Sequence, residues 1–160
     1  MRYTPAQLRE ALDISEDTLR YWRELLPQLN GRRGYAPCFT PGDLLTLKVV
    51  AALRDLGMNI GMLKTHSKSF FDACSQRPWF ELELHSLVFD GEFITMGRMD
   101  AGLDLPIKAR VVVPLGPLIQ QLRQRLAAEE VQTLQPEITF PLWGSRKEHR
   151  DESATASQQT

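Results

Sequence analysis

Ser15-Glu16-Asp17-Thr18-Leu19-Arg20-Tyr21-Trp22-Arg23 is the stretch whose reading decides the fold. Ser15 suits an N-cap, because its hydroxyl can accept from one of the first free backbone N–H groups of a helix. Glu16 and Asp17 then stand where the positive end of the helix dipole favours carboxylates. Leu19, Trp22 and Leu26 recur at spacings of three and four and give the helix one apolar face. Arg20 and Arg23 project from other parts of the surface as a small basic patch. Just upstream, Thr4-Pro5-Ala6-Gln7 has the pattern of a capping box with proline at the first helical position. It opens a short helix with Leu8, Ala11 and Leu12 as its stripe. Two short helices joined by Asp13-Ile14 fit a helix-turn-helix, whose second helix can lie in a major groove. The same features also fit two packed surface helices that bind nothing.

A resemblance favours the first alternative. Tyr3-Thr4-Pro5, Leu8, Ile14-Ser15, Thr18-Leu19-Arg20-Tyr21-Trp22 and Leu25-Leu26-Pro27 resemble the N-terminal module of the MerR family of bacterial regulators. So do Gly34-Tyr35, Phe39-Thr40, Asp43-Leu44 and Leu53-Arg54-Asp55-Leu56-Gly57. The likeness runs from about Met1 to Lys68, in order and with nearly the family's spacing. It implies a winged helix-turn-helix in a DNA-binding regulator. Arg20 and Tyr21 match the family's backbone-contact positions. The wing departs from the pattern: Gly34-Tyr35-Ala36-Pro37-Cys38-Phe39 stands where members commonly read Gly-Tyr-Arg-x-Tyr, with one extra residue and no arginine after Tyr35. Asp17 stands where a basic residue is common, and Arg23 where an acid is common.

Asn30-Gly31-Arg32-Arg33-Gly34-Tyr35 is the expected hairpin wing, with two glycines for tight turning and two arginines beside an aromatic ring. There the cations and the tyrosine hydroxyl can reach phosphate oxygens. Taken alone it is a solvated basic loop. Thr40-Pro41-Gly42-Asp43 opens a third helix with Leu44, Leu47, Val50, Ala51 and Leu56 as its stripe, ended by Gly57. Asn59 caps a fourth, expected to carry Ile60, Leu63, Phe70 and Phe71.

Past Cys74 the pattern changes. Related ligand sensors usually continue into a long pairing helix, whereas here Trp79-Phe80-Glu81-Leu82-Glu83-Leu84 alternates with a period of two and predicts a strand. Asp90-Gly91 between Phe89 and Glu92 predicts a type I′ hairpin, with Phe93-Ile94-Thr95-Met96 returning. Ile107 to Val113 reads as a third strand. Pro114 to Ala128 reads as an amphipathic helix with Leu115, Leu118, Ile119, Leu122 and Leu126 on one side. Glu137-Ile138-Thr139-Phe140 fits a last strand, and the chain from Ser145 is polar enough to predict disorder.

The expected fold class is therefore α+β: a mainly helical winged helix-turn-helix over 1–75, a small α+β dimerisation or partner-binding unit over 76–144, and a disordered tail over 145–160.

Composition sets bounds on function. With 160 residues the chain can bury a real core, and 42% apolar with 24% charged residues is ordinary for a globular protein. No apolar run reaches the ~20 residues needed to span a bilayer, and Met1-Arg2-Tyr3-Thr4-Pro5 lacks a signal peptide's apolar stretch. The expected location is the cytoplasm. The net charge of −1 hides an asymmetry, with 10 Lys/Arg against 7 Asp/Glu through Lys68 and 9 against 13 after it. A mildly basic first part suits phosphate contact.

Catalysis is not expected. Cys38 and Cys74 lack Cys-x-x-Cys spacing, and His66, His85 and His149 are dispersed without ligand spacing. Cys74 and His66 are two turns apart on one predicted helix, too far for a catalytic pair. There is no Gly-x-Gly-x-x-Gly and no phosphate-binding Gly-Lys-Thr run. Cys38 in the wing is a small buried filler or a redox switch on DNA contact, the filler being the simpler reading.

The sequence thus predicts a DNA-binding regulator without cofactor or metal, acting on double-stranded DNA as a homodimer through its C-terminal part. Ser15, Glu16, Asp17 and Thr18 begin the helix that approaches base edges, where an acid can accept from cytosine N4. Arg20, Tyr21, Arg23, Arg32, Arg33 and Tyr35 complete the predicted DNA-binding set. An architectural DNA-bending factor and a protein–protein adaptor are the alternatives.

Overall fold

The computed structural model describes residues 1–32, 34–98 and 109–133. Helix α1 (Pro5–Leu12) starts at the predicted capping box: the Thr4 side chain accepts from the Gln7 N–H, and the Gln7 side chain accepts from the Thr4 N–H. It ends at Asp13, which adopts the left-handed conformation at φ 57 and turns the chain into α2 (Glu16–Leu25). A 3-10 turn at Pro27–Leu29 stops α2 where proline removes a donor. Helix α3 (Pro41–Asp55) runs through the middle of the molecule and packs against α1 and against two later helices, α5 (Ser67–Ser75) and α7 (Leu115–Thr133). Gly57, at φ 89, ends it, with the Met58 N–H returning to the Leu53 carbonyl at 3.1 Å.

The predicted fourth helix is two helices. Asn59 caps α4 (Ile60–Thr65) as expected, but the chain breaks at His66 and resumes as α5 (Ser67–Ser75). The break rotates Phe70 and Phe71 into the core independently of Leu63.

The segment read as a strand from Trp79 is a second correction. It forms a short helical turn, α6 (Trp79–Leu82), and strand β1 (His85–Phe89) begins three residues later. Six residues alternating in polarity also place Trp79 and Leu82 three apart, and that spacing wins. Leu82 is fully buried, and the Trp79 indole N–H donates to the Pro41 carbonyl at 3.2 Å. Phe80 and Leu84, which a strand would have buried with one of its faces, remain exposed.

Strands β1, β2 (Ile94–Arg98) and β3 (Val111–Pro114) form an antiparallel sheet in the order β2-β1-β3. Phe89 pairs with Ile94, so the hairpin loop is four residues rather than the two of a type I′ turn. Only Gly91 has positive φ there, and the Asp90 side chain accepts from the Glu92 and Phe93 N–H groups at 2.9 and 2.7 Å. An Asx-type turn has replaced the mirror-image turn, which needs positive φ at two residues.

Helix α7 (Leu115–Thr133) starts one residue later than expected and runs further. Its Leu115, Ile119 and Leu122 are buried in contact with α1, α3 and β1. One apolar cluster therefore contains Leu8, Trp22 and Leu44 from the first half with Leu87, Val113 and Ile119 from the second. The α+β fold class holds, and the two halves share a core. The beginning of the predicted third strand, the expected strand at Glu137–Phe140 and the expected tail lie outside the described residues.

Candidate nucleic-acid interface

Helix α2 is built to bury one side and show the other. Leu19 and Trp22 are buried, whereas Glu16, Asp17, Arg20 and Tyr21 lie on the exposed face. Its start is fixed by Ser15, whose Oγ accepts from the Thr18 N–H at 3.1 Å and lies 2.9 Å from the Thr18 hydroxyl. Ser15 and Thr18 are thus partly engaged with each other. Glu16 comes within 3.6 Å of Arg9 on α1, and Asp17 pairs with Arg20 one turn on. All these groups but Arg9 are largely solvent-exposed, so the pairs are weak and exchangeable. The exposed face therefore mixes both signs.

The loop after α2 bends at Gly31 (φ 80) and Gly34 (φ 91), both conformations that a side chain would strain. It returns through an antiparallel bridge between Tyr3 and Phe39. Among the described residues it carries no two-stranded hairpin, so the wing is a loop rather than a ribbon. Tyr35 stands out at 96% exposure. Arg33 lies outside the described residues.

Arg32, predicted to point outward, is turned inward. Its guanidinium pairs with Asp43, which is 2% exposed, and its carbon lies 5.9 Å from the centre of the Phe39 ring. Asp43 in turn accepts from the Thr40 N–H at 2.6 Å and the Thr40 hydroxyl at 2.8 Å. Arg23 approaches the same Phe39 ring, at 5.6 Å. Unlike Arg32, its Nε and Nη2 are covered and find no acceptor among the described residues. A hidden donor left unmade costs about 1–3 kcal/mol. Arg20, Arg23 and Glu24 of α2 and Leu29, Asn30 and Gly31 of the loop together line a cavity of about 400 Å³.

The structure thus brings Arg20 and Arg23 together with the base of the loop. Ser15, Glu16, Asp17 and Thr18 sit at the start of the helix, and Tyr35 stands on the loop's exposed arm. Sequence reasoning missed Phe39 as the platform under two arginines, and missed Asp43 as the partner of Arg32. The Thr40-x-x-Asp43 capping pattern was readable, but nothing in it signals a second ligand for the carboxylate.

The remaining polar residues are placed elsewhere. The His66 ring packs edge-on against Phe89 at 5.1 Å, and His85 Nδ1 lies 2.8 Å from the Glu81 carbonyl oxygen. Burial pushes the Cys74 thiol up to about 12, partly opposed by a hydrogen bond from Thr46. Among the described residues no group of three or more His, Cys, Asp or Glu could hold a metal ion. In the same residues no helix is long and apolar enough to cross a membrane.

A capped helix pair with an exposed second helix and a glycine-bent basic loop beside it defines a helix-turn-helix module. Residues 3–69 match the family model of the MerR HTH family regulatory protein. The first part of the chain is therefore similar to a MerR-type helix-turn-helix, and a DNA-binding transcription regulator is the kind of protein this match supports. No curated protein matches the chain.

Proposed function

We propose that the protein is a sequence-specific regulator that lays α2 in the major groove of double-stranded DNA. The observation that carries this reading is the joint exposure of the polar face of α2 and the loop that follows it, above a buried Leu19–Trp22 floor. Ser15, Glu16, Asp17 and Thr18 approach base edges. Arg20, Tyr21 and Tyr35, with Arg33 on the same loop, meet phosphates. Arg32 acts one step back, by holding the base of the loop against α3 through Asp43. Residues 1–75 carry the DNA contact and residues 76–144 the partner contact, in a cytoplasmic protein that uses no cofactor and is not an enzyme.

One such module reads only a few base pairs, so two half-sites bound by a homodimer supply the specificity. The apolar stripe of α7 is spent inside the fold. The second copy is instead received by the exposed apolar residues of the second half, Phe80, Leu84 and Phe93. Mapping of bound DNA across the genome of the native host tests the reading, and a shared, two-fold symmetric site near promoters is expected. Bent DNA without a shared site points instead to an architectural factor. Absence of duplex binding at low salt removes the DNA-binding reading in favour of an adaptor.

A further inference from the structure

The cavity between α2 and its following loop is lined by two arginines, Arg20 and Arg23. Two guanidinium groups share the Phe39 ring. Arg32 is neutralised there by Asp43. Arg23 has neither a carboxylate nor a hydrogen-bond acceptor among the described residues for its Nε and Nη2. The Arg23 fork is covered in this structure and has no acceptor among the described residues. Arg23 lines, with Arg20, an open cavity into which a small swing of the side chain would bring the fork.

We infer that this cavity seats one phosphodiester of the DNA backbone, and that Arg23 takes it with two parallel N–H donors. The inference rests on the DNA-binding reading above and deepens it. The tetrahedral phosphate presents paired oxygens that match the guanidinium fork, and Arg20 adds a second guanidinium once it exchanges its exposed Asp17 partner for the phosphate. Moving from its resting place to the phosphate, Arg23 gives up a contact with the Phe39 ring and gains the hydrogen bonds it lacks. The turn at Asn30–Gly31 forms the opposite wall, and the open space at Gly31 lets the ligand approach the backbone closely. Among the described residues lining the cavity Glu24 is the one acid, and it is exposed and able to swing into water. Free inorganic phosphate shares this chemistry, and the test separates the two sources.

Binding of a short duplex is measured against salt concentration for wild type, Arg23→Gln and Arg23→Lys. Arg23→Gln should weaken binding to every duplex roughly tenfold and lower the log–log salt slope by ~0.9, the share of one phosphate. Arg23→Lys keeps the charge without the fork, so it should hold the slope and lose part of the affinity. Thermal unfolding of Arg23→Gln should match or exceed that of wild type, since the hidden donors make no hydrogen bond to lose. A folded Arg23→Gln with unchanged affinity and slope overturns the seat and leaves the DNA-binding reading standing. A wild type that binds no duplex at any salt overturns both. Inorganic phosphate is titrated alongside, followed by the Arg23 Nε–H resonance. A saturating shift at micromolar phosphate assigns the cavity to the free anion and overturns the backbone seat, whereas no saturation in that range supports it.

Discussion

The Arg32 guanidinium lies against Oδ2 of Asp43, the carboxylate oxygen that also accepts from the Thr40 N–H and hydroxyl. One buried acid therefore completes the capping box of α3 with Thr40 and holds the loop after α2. The consequence is mechanical: the loop's base is fixed to the helix at the centre of the core, while its Tyr35 arm stays in solvent.

Removing the acid should be far worse than removing the base. Asp43→Ala strands a half-buried Arg32 and removes the acid's half of the α3 capping box, and a broken buried pair costs about 3–5 kcal/mol. Arg32→Gln leaves Asp43 with its Thr40 donors and should cost only about 1–2 kcal/mol, the loss of one charge-assisted hydrogen bond. Denaturant unfolding of the two variants checks the order. If Arg32 instead grips DNA directly, Arg32→Gln will lower the salt slope of binding without this loss of stability.

Close packing makes a second, independent prediction. A Cβ on Gly116 would meet the Glu83 carbonyl oxygen at 2.7 Å, a backbone atom that cannot step aside. Gly116→Ala should therefore push the start of α7 off the α6–β1 corner and cost about 1–3 kcal/mol, as overpacking does. On an open helix the same change would stabilise. A higher melting temperature for Gly116→Ala would refute the packing of α7 on that corner.

The thiols should differ sharply in reactivity. Cys74 is buried and its thiol is pushed up to about 12, so at pH 8 it carries almost no thiolate. Cys38 is half-buried at the base of the loop. A thiol reagent should label Cys38 in the native protein and reach Cys74 only on unfolding. The raised value also sets a sign for stability. The unfolded thiol loses its proton near its ordinary value of 9.0 while the native one holds it, so stability falls as pH climbs from there towards about 12. A Cys74→Ala variant should lose that part of the alkaline dependence. Equal labelling of both thiols in the folded state would contradict the burial.

Helix starts were legible in the sequence because caps are local. Thr4, Ser15, Thr40 and Asn59 all cap where their side chains and the residues after them predict. Strand edges were less so. At Trp79–Leu84 two periods competed over six residues, and the tie was broken by the Pro41 carbonyl, 38 residues away in sequence. The candidate site divides in the same way. The exposed face of α2 followed from its apolar stripe, but the opposite fates of Arg23 and Arg32 depend on where Asp43 lies, and no local pattern states that. From the sequence, the stripe of α7 with Leu118, Leu122 and Leu126 reads as a candidate surface for a second copy, but Leu122 is fully buried inside the chain. That its cover is α1 and α3 of the same chain is long-range information.

That cover bears directly on what a truncated protein can do. Leu115, Ile119 and Leu122 are each fully buried, on a helix packed against α1 and α3. The Arg125 side chain reaches Asp13, the left-handed residue of the helix-turn-helix turn, at 3.3 Å. The ion pair is exposed and contributes little, below about 1 kcal/mol. The three side chains contribute much more, at about 1.5–3 kcal/mol for each one buried. A domain's whole margin is only about 5–15 kcal/mol, so a fragment ending near Ser75 should lose most of it. Circular dichroism and thermal unfolding of residues 1–75 should therefore show a chain that melts without cooperativity and binds DNA weakly. Ile119→Asp in the full chain should reproduce the defect, and Arg125→Ala should not. A fragment of 1–75 that unfolds cooperatively and binds duplex DNA like the full chain would mean that α7 merely rests on the module, and that the DNA-binding half folds by itself.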